Sequence, residues 1–155
     1  MANLIFALRL GIGGLLLVAG VLKAHDGPVV TAAFVAGYRI LPSFLVAPLG
    51  VGLPYVEIFL GAYLAAGFLT RAVATVVTAQ FAVFAIAVGS LVVRHIPANC
   101  GCFGSAVSTP PSWGHVAADL ALAVVTTAIV RWSPGAFALD DALAAGGARE
   151  TKLEA

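Results

Sequence analysis

From residue 72 to residue 93 the chain runs for 22 residues without one charged side chain, and Arg71 and Arg94 bracket the run. A helix rises about 1.5 Å per residue, so roughly 20 apolar residues cross the ~30 Å hydrocarbon core of a bilayer. Three further stretches have this character, about 4–22, 44–70 and 113–132. Composition points the same way. Of 155 residues, 61% are hydrophobic and 10% are charged, with a mean hydropathy of +1.06, whereas about a quarter of a soluble domain is charged. Lipid must therefore be the solvent for most of the chain. The pattern predicts an all-α integral membrane protein, a four-transmembrane-helix bundle with a short interfacial segment between helices one and two.

Arg9 interrupts the first helix near its end, where its long side chain is expected to snorkel to the headgroups, and Lys23 marks the other end. Residues 1–8 carry no basic side chain, unlike the start of a secretory signal peptide, so the helix is read as retained. Gly11, Gly13, Gly14 and Gly20 along it would let a neighbouring backbone come close. Residues 26–42 are less apolar, hold Tyr38 and Arg39, and read as a short helix or loop in the interface. The second helix is longer than a span requires and contains Pro48 and Pro54, so tilt or a break is expected there. Glu57 is its sole charge. In the fourth helix Trp113 and Trp132 lie roughly 28 Å apart, one for each interface. Ser112, after Pro110 and Pro111, suits its N-cap. Residues 1–132 thus make the transmembrane domain. The tail, 133–155, turns polar after Ser133-Pro134-Gly135 and reads as a short amphipathic piece followed by flexible chain.

Four spans put both termini and the Arg71 turn on one side. The basic residues split five (Arg9, Arg71, Arg131, Arg149, Lys152) against three (Lys23, Arg39, Arg94). The positive-inside rule then places the termini in the cytoplasm, for a protein of the cell (inner or plasma) membrane. It places the segment between helices three and four outside, where disulfides form and persist. A net charge of +1, with no basic patch or charge run, gives nucleic acid nothing to bind.

That outer segment reads Arg94-His95-Ile96-Pro97-Ala98-Asn99-Cys100-Gly101-Cys102-Phe103-Gly104-Ser105 and holds both cysteines. Extended backbone would separate Cα atoms two residues apart by roughly 7 Å, the upper limit for a disulfide, so bridging needs a bend. Gly101 can supply it. A bond closing so small a ring gains little from loop entropy and suits exchange better than stapling. Two thiolates also make a soft site for monovalent copper or mercury, while zinc would need further ligands from His95 or His115. Thiol redox, soft-metal binding and a structural disulfide all remain open from spacing alone.

Several polar residues could support such chemistry. Glu57 is either a proton carrier or a counter-charge to Lys23 or Arg9. His115 and Asp119, four apart, share one face of the fourth helix and could hold or move a proton during thiol exchange, or only fix packing. His95 and Arg94 could lower a thiol pKa by positive charge. Gln80 is most simply an inter-helix hydrogen-bonding group.

Lys23 followed by Asp26, Tyr-x-x-Leu-Pro at 38–42, the intramembrane Glu57 and above all Cys-Gly-Cys-Phe-Gly at 100–104 ahead of Trp113 together resemble the MauE branch of the DoxX-like membrane proteins. The resemblance covers about residues 4–132. It implies a small four-helix membrane protein associated with thiol redox and with maturation of disulfide-containing partners, often alongside a thioredoxin-like protein. By position it makes Cys100 and Cys102 the redox pair, with Lys23 and Glu57 as family-like polar positions. The expected activity is a membrane thiol–disulfide oxidoreductase acting on an extracytoplasmic thioredoxin-like or substrate protein. With a single pair there is no internal relay, so electrons pass either to a second protein or to a membrane quinone, for which the sequence marks no site. The alternatives are a soft-metal carrier, with Glu57 along the path, and a non-catalytic assembly factor.

Overall fold

The computed structural model describes residues 1–107, 109–133 and 136–141. It contains α1 (Ala2–Asp26), α2 (Pro28–Gly37), α3 (Ser43–Ala66), α4 (Thr70–Val93), a single 3-10 turn (Gly104–Ala106) and α5 (Trp113–Trp132), with no strand among the described residues. Helices α1, α3, α4 and α5 are long and apolar enough to cross a membrane, with 25, 24, 24 and 20 residues. The short α2 lies between the first and second spans, in the segment expected at the interface.

The spans associate in two pairs, α1 along α3 and α4 along α5, while α2 folds back on α3. Between lipid-solvated helices there is no hydrophobic drive, so close packing and inter-helix hydrogen bonds must hold them together. Small residues do this for α1 and α3. A Cβ on Gly13 would lie 2.7 Å from the Gly61 carbonyl oxygen, and one on Gly20 would lie 2.7 Å from that of Pro54. Gly11 and Gly14, expected to serve likewise, meet no atom within 4 Å. They lie off the face that α3 covers. For α4 and α5 the Thr78 hydroxyl donates to that of Thr126 at 2.8 Å, amid a core that includes Val77, Phe81, Ala123 and Ile129. Side chains such as Val83, Ile86 and Val124 point outward, where lipid lies.

Two expectations need correction. Helix α3 ends at Ala66, short of residue 70, because Gly67 turns left-handed at φ 71° and the Phe68 N–H returns to the Tyr63 carbonyl. This is a Schellman-type stop. Of the tilt or break expected at Pro48 and Pro54, the break is absent, for the helix runs through both prolines. Arg9, expected to snorkel, is fully buried. Its guanidinium donates to the carbonyls of Leu64 at 3.2 Å, Ala65 at 3.4 Å and Ala136 at 3.4 Å. The last carbonyls of a helix lack intrahelical donors and carry its negative dipole end, so a buried guanidinium satisfies both needs.

The chain after α5 completes that end of the bundle. The Ala136 N–H donates to the Ala2 carbonyl, and the Asp140 carboxylate accepts the first N–H groups of the α4 end, Leu69 at 2.8 Å and Thr70 at 2.9 Å. Desolvation raises the Asp140 pKa, but those donors and the Arg9 charge outweigh it and hold the carboxyl below its ordinary value. The flexible end expected for the tail falls at 142–155, outside the described residues.

The close crossing of α1 and α3 is open to test. Gly20→Val drives a branched side chain into the Pro54 backbone and is expected to cost about 1–3 kcal/mol in unfolding of the detergent-solubilised protein. Gly14→Ala, which meets open space, should be neutral or stabilising by up to ~1 kcal/mol through helix propensity.

Candidate functional site

The cysteine segment begins where α4 ends. The Arg94 guanidinium donates to the carbonyl oxygens of Tyr38 at 3.2 Å and Arg39 at 3.5 Å, which ties that point to the end of α2. His95 follows in a left-handed conformation, φ 49°, and is exposed. Among the described residues no hydrogen bond joins its ring to either cysteine.

Cys100 and Cys102 are joined in a disulfide, their Cα atoms 5.5 Å apart. The bend that brings them within reach is at Gly101, φ 66°. A Cβ there would also lie 3.0 Å from the Phe34 ring. Glycine is needed at this position for both conformation and space. The two sulfurs differ in access. Cys100 is 3% exposed, whereas Cys102 is half-buried.

Three contacts hold the loop against the helices. The Cys100 N–H donates to the Thr109 carbonyl at 3.2 Å, closing the loop on itself. The Tyr38 hydroxyl donates to the Cys100 carbonyl at 2.5 Å. Burial, reinforced by the negative charge of Asp119, pushes the Tyr38 pKa up to about 12, so the phenol keeps the proton it donates. At the far side Asp26, the last residue of α1, accepts the Ser105 N–H at 2.6 Å and also the Ser105 hydroxyl. Gly104 lies so close that a Cβ on it would collide with the Asp26 carboxylate.

His115 and Asp119 share a face of α5, but no hydrogen bond joins them among the described residues. The His115 ring instead bonds the Thr109 hydroxyl through Nε2 at 3.1 Å and the Ser112 hydroxyl through Nδ1 at 2.8 Å. Ser112 occupies the N-cap position of α5, but its hydroxyl serves the imidazole and no backbone N–H. His115 thereby supports Thr109, the residue that receives the Cys100 N–H. Asp119 is buried, and its Oδ2 has no hydrogen-bond partner among the described residues.

Lys23 and Glu57 form an ion pair, with Nζ at 2.6 and 2.8 Å from the two carboxylate oxygens. Both side chains are buried. The Gln80 amide donates to Glu57 at 3.5 Å, and the Lys23 ammonium lies 5.6 Å from the centre of the Phe84 ring. The pair therefore links α1, α3 and α4. Beside it a cavity of about 550 Å³ extends between α2, α3 and α4, and Lys23, Gln80 and the Cys100-Gly101-Cys102 segment all line it.

Sequence reasoning missed the parts played by Asp26, Phe34 and Tyr38. The one available signal was that Asp26 and Tyr38 are among the residues that carry the family resemblance. Nothing in the spacing connects residue 26 or residue 38 to a loop more than 60 positions later.

Cutting one partner from the buried pair leaves an uncompensated charge in the membrane. Lys23→Met is expected to destabilise the solubilised protein by about 3–5 kcal/mol. Lys23→Met combined with Glu57→Met should recover at least half of that loss in the same unfolding measurement.

No curated protein and no solved structure matches the chain. The family model described as methylamine utilisation protein MauE matches residues 1–133, which takes in all four spanning helices and the cysteine loop. The chain belongs to the MauE family of membrane proteins.

Proposed function

We propose that this protein is a membrane thiol–disulfide oxidoreductase whose Cys100–Cys102 pair exchanges electrons with a thioredoxin-like or disulfide-containing protein outside the cytoplasm. One observation carries the reading: two cysteines two residues apart, bonded to each other across a glycine bend, with one sulfur-bearing residue half-buried and the other buried. A staple across so short a loop restrains almost nothing, whereas a pair that differs in access has a defined point of attack. Membership of the MauE family supports the same reading.

The exchange proceeds in two displacements. A thiolate of the partner attacks the Cys102 sulfur, the Cys100–Cys102 bond breaks, and Cys100 leaves with the electron pair as a thiolate. The partner's second thiolate then attacks its own sulfur in the mixed disulfide and releases Cys102. The partner is oxidised to a disulfide, the pair is reduced, and the reverse direction uses the same bonds. The excess of basic residues on the side of the termini supports an outward-facing cysteine loop.

Two measurements test this. After mild reduction, a membrane-impermeant maleimide added to intact cells should label the pair, and protection until lysis would overturn the topology. Removing the resolving cysteine should trap the covalent link. Because Cys102 is the more accessible, Cys100→Ser is expected to accumulate at least tenfold more reductant-sensitive adduct with a partner protein than Cys102→Ser, on non-reducing gels after acid quenching. If neither variant traps a protein while the wild type retains copper or mercury through purification, the soft-metal reading replaces this one.

A further inference from the structure

We propose that the cavity beside the disulfide binds a lipid-soluble quinone, which takes the two electrons of the reduced Cys100/Cys102 pair. The proposal rests on the thiol–disulfide reading above and names the electron acceptor for it. A pair reduced by a partner dithiol must be reoxidised before the next turnover. No second cysteine pair exists in the chain to receive the electrons.

Shape is the first argument. Helices α3 and α4 touch sparingly, and the gap between them forms a slot. Its α4 wall runs from Val76 to Val88, roughly 18 Å of helix. Val56, Val76 and Val83 line the slot and are also exposed on the helix surface. In a bilayer such a mouth opens sideways into lipid. The occupant therefore enters from the membrane and is long, narrow and mostly apolar.

The second argument is the chemistry of the slot's lining. Cys100, Gly101 and Cys102 all contribute to the wall, with Phe34 and Tyr38 against them, and Phe84, beside Lys23, lines the slot further along α4. An ammonium has three N–H donors, and Glu57 takes two of those of Lys23. Gln80 bonds Glu57 through one of its amide hydrogens and has a second. Donors at the edge of an apolar slot match a flat ring bearing carbonyl oxygens. A cation there stabilises negative charge as it builds on such an oxygen. A phospholipid acyl chain offers no acceptor to these groups.

The electron balance closes. The Cys100 and Cys102 thiols together give up two electrons and two protons, their S–S bond forms, and the two quinone carbonyl oxygens receive both electrons and both protons to become a quinol. Combined with the exchange above, a partner dithiol and a quinone become a partner disulfide and a quinol.

The test is equilibrium binding of short-chain ubiquinone and menaquinone analogues to delipidated full-length protein in phosphatidylcholine nanodiscs. The wild type and the Cys100→Ser/Cys102→Ser double variant are both expected to bind one of the two analogues. Gly52 lines the slot and a Cβ on it meets no atom within 4 Å, so Gly52→Phe should fill the slot and weaken binding at least tenfold. Val124→Phe, on the lipid-facing side of α5, controls for added bulk and should bind like the wild type. The reduced wild type, mixed anaerobically with the bound analogue, should re-form its disulfide and yield one quinol per protein. The proposal fails if neither analogue binds, if Gly52→Phe binds as the wild type does, or if bound quinone leaves the thiols reduced. Should Gly52→Phe not fold, photo-crosslinking with an azido-quinone decides: labelling around Gly52 and Val83 supports the site, and labelling confined elsewhere overturns it. Because the double variant has no thiols, its binding reports the slot independently of exchange. A trapped partner without quinone binding sinks this inference alone, and quinone binding without any trapped partner leaves the slot standing and removes the proposed exchange.

Discussion

The ion pair between Lys23 and Glu57 is the interaction on which the rest of the arrangement depends. Neither charge is tolerable alone inside a low-dielectric bundle, so each fixes the other, and with it the relation of α1 to α3. Gln80 and Phe84 extend the constraint to α4. From Lys23 the effect passes outward along the chain. The Thr31 hydroxyl lies 3.3 Å from the Lys23 carbonyl and 3.2 Å from that of Gly27, which ties the first turn of α2 to the end of α1. Three residues beyond Lys23, Asp26 holds Ser105 and leaves room only for glycine at 104. The disulfide loop is thus hung from a helix whose position the buried pair determines.

The opposite end of the bundle solves a related problem with the charges reversed in role. A guanidinium supplies donors to the last carbonyls of α3, and a carboxylate accepts from the first amides at α4. Where water is scarce, charged side chains take over the task of satisfying helix ends. With α1 locked to α3 and α4 to α5, the slack left in the packing lies between α3 and α4. That is where the cavity opens, and the cysteine loop reaches its edge.

Much of the fold was legible because lipid imposes simple rules. Length and apolarity identified the four spans, and the fourth helix runs from Trp113 to Trp132, the two tryptophans that mark its expected ends. The end of α3 was misjudged because the apolar pattern continues through residues 67–70, while the stop depends on a left-handed glycine that hydropathy does not register. Arg9 was misread for a similar reason. Snorkelling is the default for a lone arginine near a helix end, and the carbonyls at the end of α3 together with the docked segment after α5 turn that position into an interior one.

The sequence by itself determined the class of protein, the number of spans and the identity of the cysteine pair. It also determined the bend that lets that pair close, because hydropathy, the two-residue spacing of the thiols and the conformational freedom of Gly101 are local properties. Tertiary structure alone decided that Cys100 is buried while Cys102 is half-exposed, that Glu57 pairs with Lys23 and not with Arg9, and that His115 serves the loop through Thr109. It also decided that a slot lies beside the disulfide. These are outcomes of which helix faces meet, and side chains dozens of positions apart become neighbours only once the bundle has packed.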